Sequence, residues 1–362
     1  MKPPARPGTP RWQQLFPDGP PRNICIVMLS AIGDAVHVLP VANALKRHWP
    51  ETRITWVIQP VPRIFAGDHP AIDDYLIFRR RRGLDAWEGF RDLARQYPQQ
   101  PYDLLLSLQV YFKAGVLTGL APARVKLGFD RHRARDLNWL FTNERIAFEG
   151  QKHVQDQYLE FLEHLGLDPH PVTWNITFTE EERAAQKSWL ESRSRKVCAV
   201  VVGTSKLQKN WTPEGYARVL EALEDDFGMQ PVLVGGPSPA EARIAHEALA
   251  LTRARTVENA LGDDLRRLMW ILDGAALCIS PDTGPLHIAR ALETPVIGLY
   301  GYTNPKRTGP WRRYQDLVVD GYAAFAGEAY GITPEYRDGM RRVRVEDVLE
   351  KIALAREKYP DG

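Results

Sequence analysis

Asn23-Ile24-Cys25-Ile26-Val27-Met28-Leu29, followed at once by Ser30-Ala31-Ile32-Gly33-Asp34, is the stretch that decides the fold. Every residue from Ile24 to Leu29 is apolar. A run without alternation predicts a strand buried on both faces, the kind found in parallel sheets. The short turn after it leads into a helical stretch reaching about Trp49, with a kink expected at Pro40. Further strands are predicted at 53–58, 75–78 and 102–108, and strand–helix–strand alternation at this spacing argues for right-handed βαβ units. After a polar stretch around 180–196 the pattern restarts, with strands predicted at 197–203, 231–236, 275–280 and 296–300. Between the first two of these, Tyr216, Val219, Leu220, Leu223 and Phe227 fall on one helical face. The chain therefore reads as α/β throughout, two doubly wound parallel-sheet halves in tandem, joined near 170–190. Ligands of such sheets bind beyond the carboxyl ends of the strands, and with two halves the cleft between them is the natural place to look.

Composition sets the outer limits. The chain has 362 residues, 44% hydrophobic and 25% charged, with 47 Lys+Arg against 45 Asp+Glu. These values fit a folded soluble protein and not a general nucleic-acid binder. No apolar run approaches the ~18–20 residues of a membrane span. Cys25, Cys198 and Cys278 lie apart inside apolar segments, so neither a zinc site nor a disulfide framework is expected, and a cytoplasmic location fits. Residues 1–22 carry seven prolines and no periodicity, so an unstructured, flexible tail is expected there.

The loops after the strands hold the chemistry. Walker-type and GxGxxG phosphate loops, HExxH, GxSxG and Asp-x-Asp are all absent, which favours a metal-independent reaction. Asp34, after the first strand, is either a general base or a cap for the helix that follows. Thr204, Ser205 and Lys209 offer two hydroxyls and an ammonium, suited to a diphosphate or simply to a solvated loop. Asp282, Thr283, Gly284 and His287 sit between a strand and a helix, where free N–H groups and the helix dipole favour phosphate. Asp282 read alone is equally an N-cap, and His287 a core histidine. Arg79, Arg80, Arg81 and Arg82, then Lys113, then Arg131, Arg133 and Arg135 concentrate positive charge in the first half. They suit an anionic second substrate, unless the run is only a solvated face.

Together these loops resemble glycosyltransferase family 9, the bacterial lipopolysaccharide heptosyltransferases. The resemblance spans roughly 23–345 and rests on four motifs in order: Ser30-Ala31-Ile32-Gly33-Asp34-x-x-His37-x-Leu39-Pro40, Gly203-Thr204-Ser205-x-x-x-Lys209-x-Trp211, Gly235-Gly236-Pro237 with Glu241 downstream, and Asp282-Thr283-Gly284-x-x-His287. Leu108-Gln109-x-x-x-Lys113, Gly128-Phe129 and His153 are similar to the family's acceptor region. The family's Lys-x-Trp-Pro is interrupted here by Thr212 before Pro213.

The resemblance implies a GT-B fold, two Rossmann-like domains facing a central cleft: a tail at 1–22, an acceptor domain at 23–180, a donor domain at 181–345, and a C-terminal helix at 346–362 packing back toward the first domain. It implies an inverting, metal-independent transfer of heptose from ADP-heptose to the Kdo/heptose inner core of lipopolysaccharide. No cofactor is expected; the partners are a nucleotide-sugar donor and an anionic lipid-linked glycan at the inner-membrane surface, reached by a cytoplasmic, peripheral enzyme, with no nucleic acid. Asp34 looks like the base. Gly33, Thr204, Ser205, Lys209, Glu241, Leu261, Asp282, Thr283, Gly284 and His287 look like donor residues. Arg79, Arg80, Arg82, Gln109, Lys113, Arg131 and Arg133 look like acceptor residues. A transferase using another nucleotide sugar or acceptor, or a catalytically silent sugar-nucleotide binder, would share most of these features.

Overall fold

The computed structural model describes residues 9–81, 85–204, 206–262 and 264–360; Arg82 and Ser205 lie outside the described residues. The chain divides into two compact units, Met1–Gly150 with Val154–Thr177, and Gln151–His153 with Phe178–Gly362.

The first unit is built on six parallel strands, β1 (Asn23–Val27), β2 (Arg53–Ile58), β3 (Asp74–Ile77), β4 (Tyr102–Ser107), β5 (Ala123–Gly128) and β6 (Glu144–Arg145), in the order β3-β2-β1-β4-β5-β6. The second repeats the plan with β7 (Val197–Val201), β8 (Gln230–Val234), β9 (Glu258–Asn259), β10 (Leu277–Pro281), β11 (Val296–Tyr300) and β12 (Val319–Asp320), in the order β12-β11-β10-β7-β8-β9. Read from the other edge, the second order is that of the first. Both sheets are doubly wound, and strand order reverses between β1 and β4 in one and between β7 and β10 in the other. Ile24–Val27 and Val197–Val201 are buried, as strands covered by helices on both faces must be. The helix Ile32–His48 runs through Pro40, whose missing N–H leaves the Val36 carbonyl without its usual donor. Among the described residues no helix is long and apolar enough to cross a membrane.

Three expectations can be set beside the structure. The proline-rich segment is not simply a tail from residue 9 onward. It carries a helix at Arg11–Leu15, and Arg11 bonds Glu144 through two 2.9 Å contacts. Trp12 meets Trp49 edge-on and Phe16 is buried. Prolines exclude long periodic helices but leave single apolar anchors free to dock. Second, the C-terminal helix Val345–Lys358 packs on its own unit, against the helix Pro213–Asp225 and strands β11 and β12. Lys358 Nζ and the Tyr359 hydroxyl both reach Asp316, and the Trp211 indole N–H donates to the Val343 carbonyl just before that helix.

Third, Arg133, expected to meet the acceptor, is committed inside its own unit. Its side chain is only 3% exposed, 2.5 Å from Asp130 and paired with Glu160, with a further bond to the Ala147 carbonyl. Phe129 and Phe148 rings flank the guanidinium. A cation so placed ties β5's following loop to the helix Val154–Leu165. Arg133→Met is therefore expected to lower the unfolding free energy by about 3–5 kcal/mol, because two carboxylates stay buried without their counter-charge. Urea denaturation measures this, and an unchanged midpoint would show that the network is solvated.

Candidate active site

In a doubly wound sheet the crevice opens at the carboxyl ends of the two strands where the order reverses. Applied to each sheet separately, this selects four loops, which carry three of the four motifs; the remaining one, Gly235-Gly236-Pro237, follows β8.

In the first unit these are the loops after β1 and β4. Asp34 is the third residue of the helix Ile32–His48 and Gly33 the second. The Ala31 N–H donates to Asp34 Oδ2 at 3.1 Å, so the carboxylate closes the helix start from inside rather than capping it from outside. Gln109, after β4, is buried and committed to this loop. Its Oε1 accepts from the Leu29 N–H at 3.2 Å and its Nε2 donates to the Ser30 carbonyl at 2.6 Å. These two bonds fix the loop that presents Asp34. His37 is also internal, its Nδ1 2.8 Å from Gln155 Oε1. Arg79 and Arg80 are exposed, and Arg131 is exposed with its guanidinium 4.2 Å from the Trp139 ring. Lys113 is half-buried over Phe78, and burial together with the charge of Arg80 pushes its ammonium pKa down. Lys113 and Arg80 are therefore brought together; Arg82 lies outside the described residues. Arg81 is spent on Glu88 and Asp92.

In the second unit the loops after β7 and β10 are joined directly. Lys209 donates to Asp282 Oδ2 at 2.7 Å and to the Asp282 carbonyl at 3.0 Å. Thr303, after β11, donates to the same Oδ2 at 2.6 Å, and His287 Nε2 lies 3.5 Å from Oδ1. Burial alone would raise the Asp282 carboxyl, but His287 and Lys209 outweigh it and hold it well below the usual carboxylate range. Asp282 is spent on these three side chains, so it positions them. Lys209 has three donors, two on Asp282, which leaves one to face a ligand. Thr303 is missing from the sequence reading; its signal is the polar Thr303-Asn304-Pro305 at the end of the apolar strand β11.

The helix Gly284–Ala291 begins beside this cluster. Thr283 is its N-cap but its hydroxyl makes no capping bond. Pro285 has no N–H and that of Leu286 turns back to the Thr283 carbonyl, so fewer free donors are present than the motif promised, with Gly284 foremost. Thr204 also departs from expectation. It is buried, its hydroxyl donates to the Lys206 carbonyl at 2.7 Å and its N–H to Asn210, bonds that shape the loop. Ser205 lies outside the described residues. His153, expected in the acceptor region, belongs to the second unit, where its Nε2 bonds the Gly309 carbonyl.

Glu241 lies in the first turn of the helix Pro239–Leu251, close against glycine backbone. A Cβ at Gly203 would come within 2.9 Å of its side chain and one at Gly236 within 3.0 Å, and Gly203 also has φ of +87°, so only glycine fits there. Its Oε2 is buried with no hydrogen-bond partner, and burial pushes the carboxyl pKa up despite the Gly236 N–H. Leu261 flanks Gly235 in the same place. Among the described residues no group of three or more His, Cys, Asp or Glu is placed to hold a metal ion.

Comparison with known proteins places the chain in a family. The family model for glycosyltransferase family 9 (heptosyltransferase) matches residues 90–325. The chain is 31% identical, over 88% of its length and 89% of the relative's, to the lipopolysaccharide core heptosyltransferase OpsX of Haemophilus influenzae. The glycosyl transferase family 9 structure from Veillonella parvula superimposes with a TM-score of 0.78 at 20% identity, covering 92% of this chain and 97% of that one. The E. coli heptosyltransferase WaaC with ADP-2-deoxy-2-fluoro heptose gives 0.69 at 23%, covering 92% and 99%. The fold is of GT-B type, and the chain belongs to glycosyltransferase family 9, the heptosyltransferases.

Proposed function

We propose that this enzyme moves a heptose from ADP-heptose to the Kdo/heptose inner core of lipopolysaccharide, with inversion at the anomeric carbon, without a metal, and with Asp34 as general base. The observation that carries the reading is the Lys209–Asp282 pair beside Thr283 and Gly284, at the reversal point of the second sheet. It offers one ammonium proton, one hydroxyl and one helix-end N–H in one place, a donor set suited to a diphosphate. The unpartnered Glu241 Oε2 suits ribose hydroxyls, and Leu261 beside it suits the flat face of a base. The WaaC structure with ADP-2-deoxy-2-fluoro heptose supports the choice of donor.

In this mechanism an acceptor hydroxyl oxygen attacks the anomeric carbon from the face opposite the diphosphate. The carbon–oxygen bond to ADP breaks and its electron pair leaves on the diphosphate, where Lys209 and the Gly284 N–H meet the new charge. The hydroxyl proton passes to Asp34. An aspartate is a weak base (about 3.9 in model peptides), so the proton moves late, as bond formation acidifies the hydroxyl. Arg79, Arg80, Lys113 and Arg131 match an anionic acceptor, and a lipid-linked acceptor brings the enzyme to the cytoplasmic face of the inner membrane.

Asp34→Asn keeps the hydrogen bond to the Ala31 N–H but cannot take a proton. Turnover is expected to fall by about 10²–10⁴ with ADP affinity unchanged; activity near wild type would remove Asp34 as base. A second test uses pH. The Asp282 carboxyl is more acidic folded than unfolded, so the stability it contributes is present above the ordinary value of 3.8 and fades as pH falls below it. The gap in melting temperature between wild type and Asp282→Asn should be wide at pH 7 and narrow progressively as pH falls below about 4. A gap independent of pH would contradict the charged pair.

A further inference from the structure

We infer that the face formed by the loops after β4 and β5 docks on an anionic lipid surface. The inference rests on the proposed function only in taking the acceptor to be lipid-linked. Tyr111, Phe112, Leu137 and Leu140 are 46%, 48%, 56% and 56% exposed, although large apolar side chains normally seek cover. They are contiguous. Asn138 Nδ2 donates to the Gln109 and Tyr111 carbonyls, the Arg135 N–H donates to the Val110 carbonyl, and the Phe112 and Phe141 rings are 5.7 Å apart. Arg131 and Arg135 stand among them, the first over Trp139 and the second 5.9 Å from the Tyr111 ring, with Asp136 as the acidic side chain of the 131–141 stretch.

The backbone adds an independent observation. Asp136 and Leu137 both have positive φ, 52° and 60°, ahead of the 3₁₀ turn Asn138–Phe141. A leucine in this conformation is strained, and here the strain holds an apolar side chain out in solvent, where packing returns nothing. Apolar tips ringed by arginine are the chemistry of an interfacial contact: the tips enter the headgroup layer and the cations meet anionic lipid. The face also lies at the same end of the first sheet as the Asp34 loop, because both follow carboxyl ends of parallel strands. Docking through it brings Asp34 toward glycan that projects from the bilayer.

Co-sedimentation of the full chain with phosphatidylcholine vesicles, with and without phosphatidylglycerol, tests this. Wild type should bind the phosphatidylglycerol vesicles and release as salt rises. Leu137→Gly and Leu140→Ser should each lower the partition coefficient by roughly five- to tenfold, and Arg135→Ser by about fivefold on the anionic vesicles alone. Leu137→Gly should leave the melting temperature unchanged or raised, since glycine relaxes the strained φ; a large fall would mean that Leu137 serves stability. Wild type that ignores the anionic vesicles, or variants that sediment like wild type, would overturn the inference. So would variants that lose turnover equally on a lipid-free acceptor, because the face would then read the glycan. An ADP-induced thermal shift, run in parallel, reports on the donor reading separately from the vesicle result.

Discussion

An ionised carboxylate in a protein interior is expensive unless its charge and lone pairs are matched, and Asp282 meets that condition with three partners drawn from three places. Lys209 arrives from the loop after β7, His287 from the first turns of the helix after β10, and Thr303 from the loop after β11. Because the carboxylate needs all three, the loops are fixed relative to one another, and the remaining Lys209 proton is aimed as a consequence. The donor face of the second unit depends on that one buried charge.

The first sheet solves the matching problem with a neutral group. Gln109 spans the same reversal point, and an amide can hold an N–H and a carbonyl at once, which a carboxylate or an ammonium cannot. Its grip on Leu29 and Ser30 sets where the next helix begins, and so where Asp34 stands. In each half, therefore, a side chain after the fourth or first strand reaches across to the other loop of the pair. Topology chooses the crevice and a single bridge in each sheet shapes it.

Much of this was legible in the chain itself. Continuous apolar runs such as Ile24–Val27 announce strands buried on both faces, and the loops after them point to the crevice by topology alone. Other parts were not. β5 reads Ala-Arg-Val-Lys-Leu-Gly and lacks an apolar run; β6, β9 and β12 are two residues each, too short to carry a period. Arg133 and Arg131 look alike in sequence, yet one is sealed between two carboxylates and the other lies on the surface, a difference set by side chains distant in the chain. Thr204 and Gln109 likewise carry the right chemistry for a ligand but spend it on nearby backbone. Residue type gives what a group can do, and only its neighbours decide whether it is already doing something else.

The most direct test of the account is a thermal-shift panel on the purified protein with ADP, ADP-heptose, UDP and GDP. A ligand that binds the folded state raises the melting temperature by mass action, with no acceptor required. The account predicts a selective rise with ADP and ADP-heptose. A rise with UDP or GDP instead, or with none of the four, would contradict it.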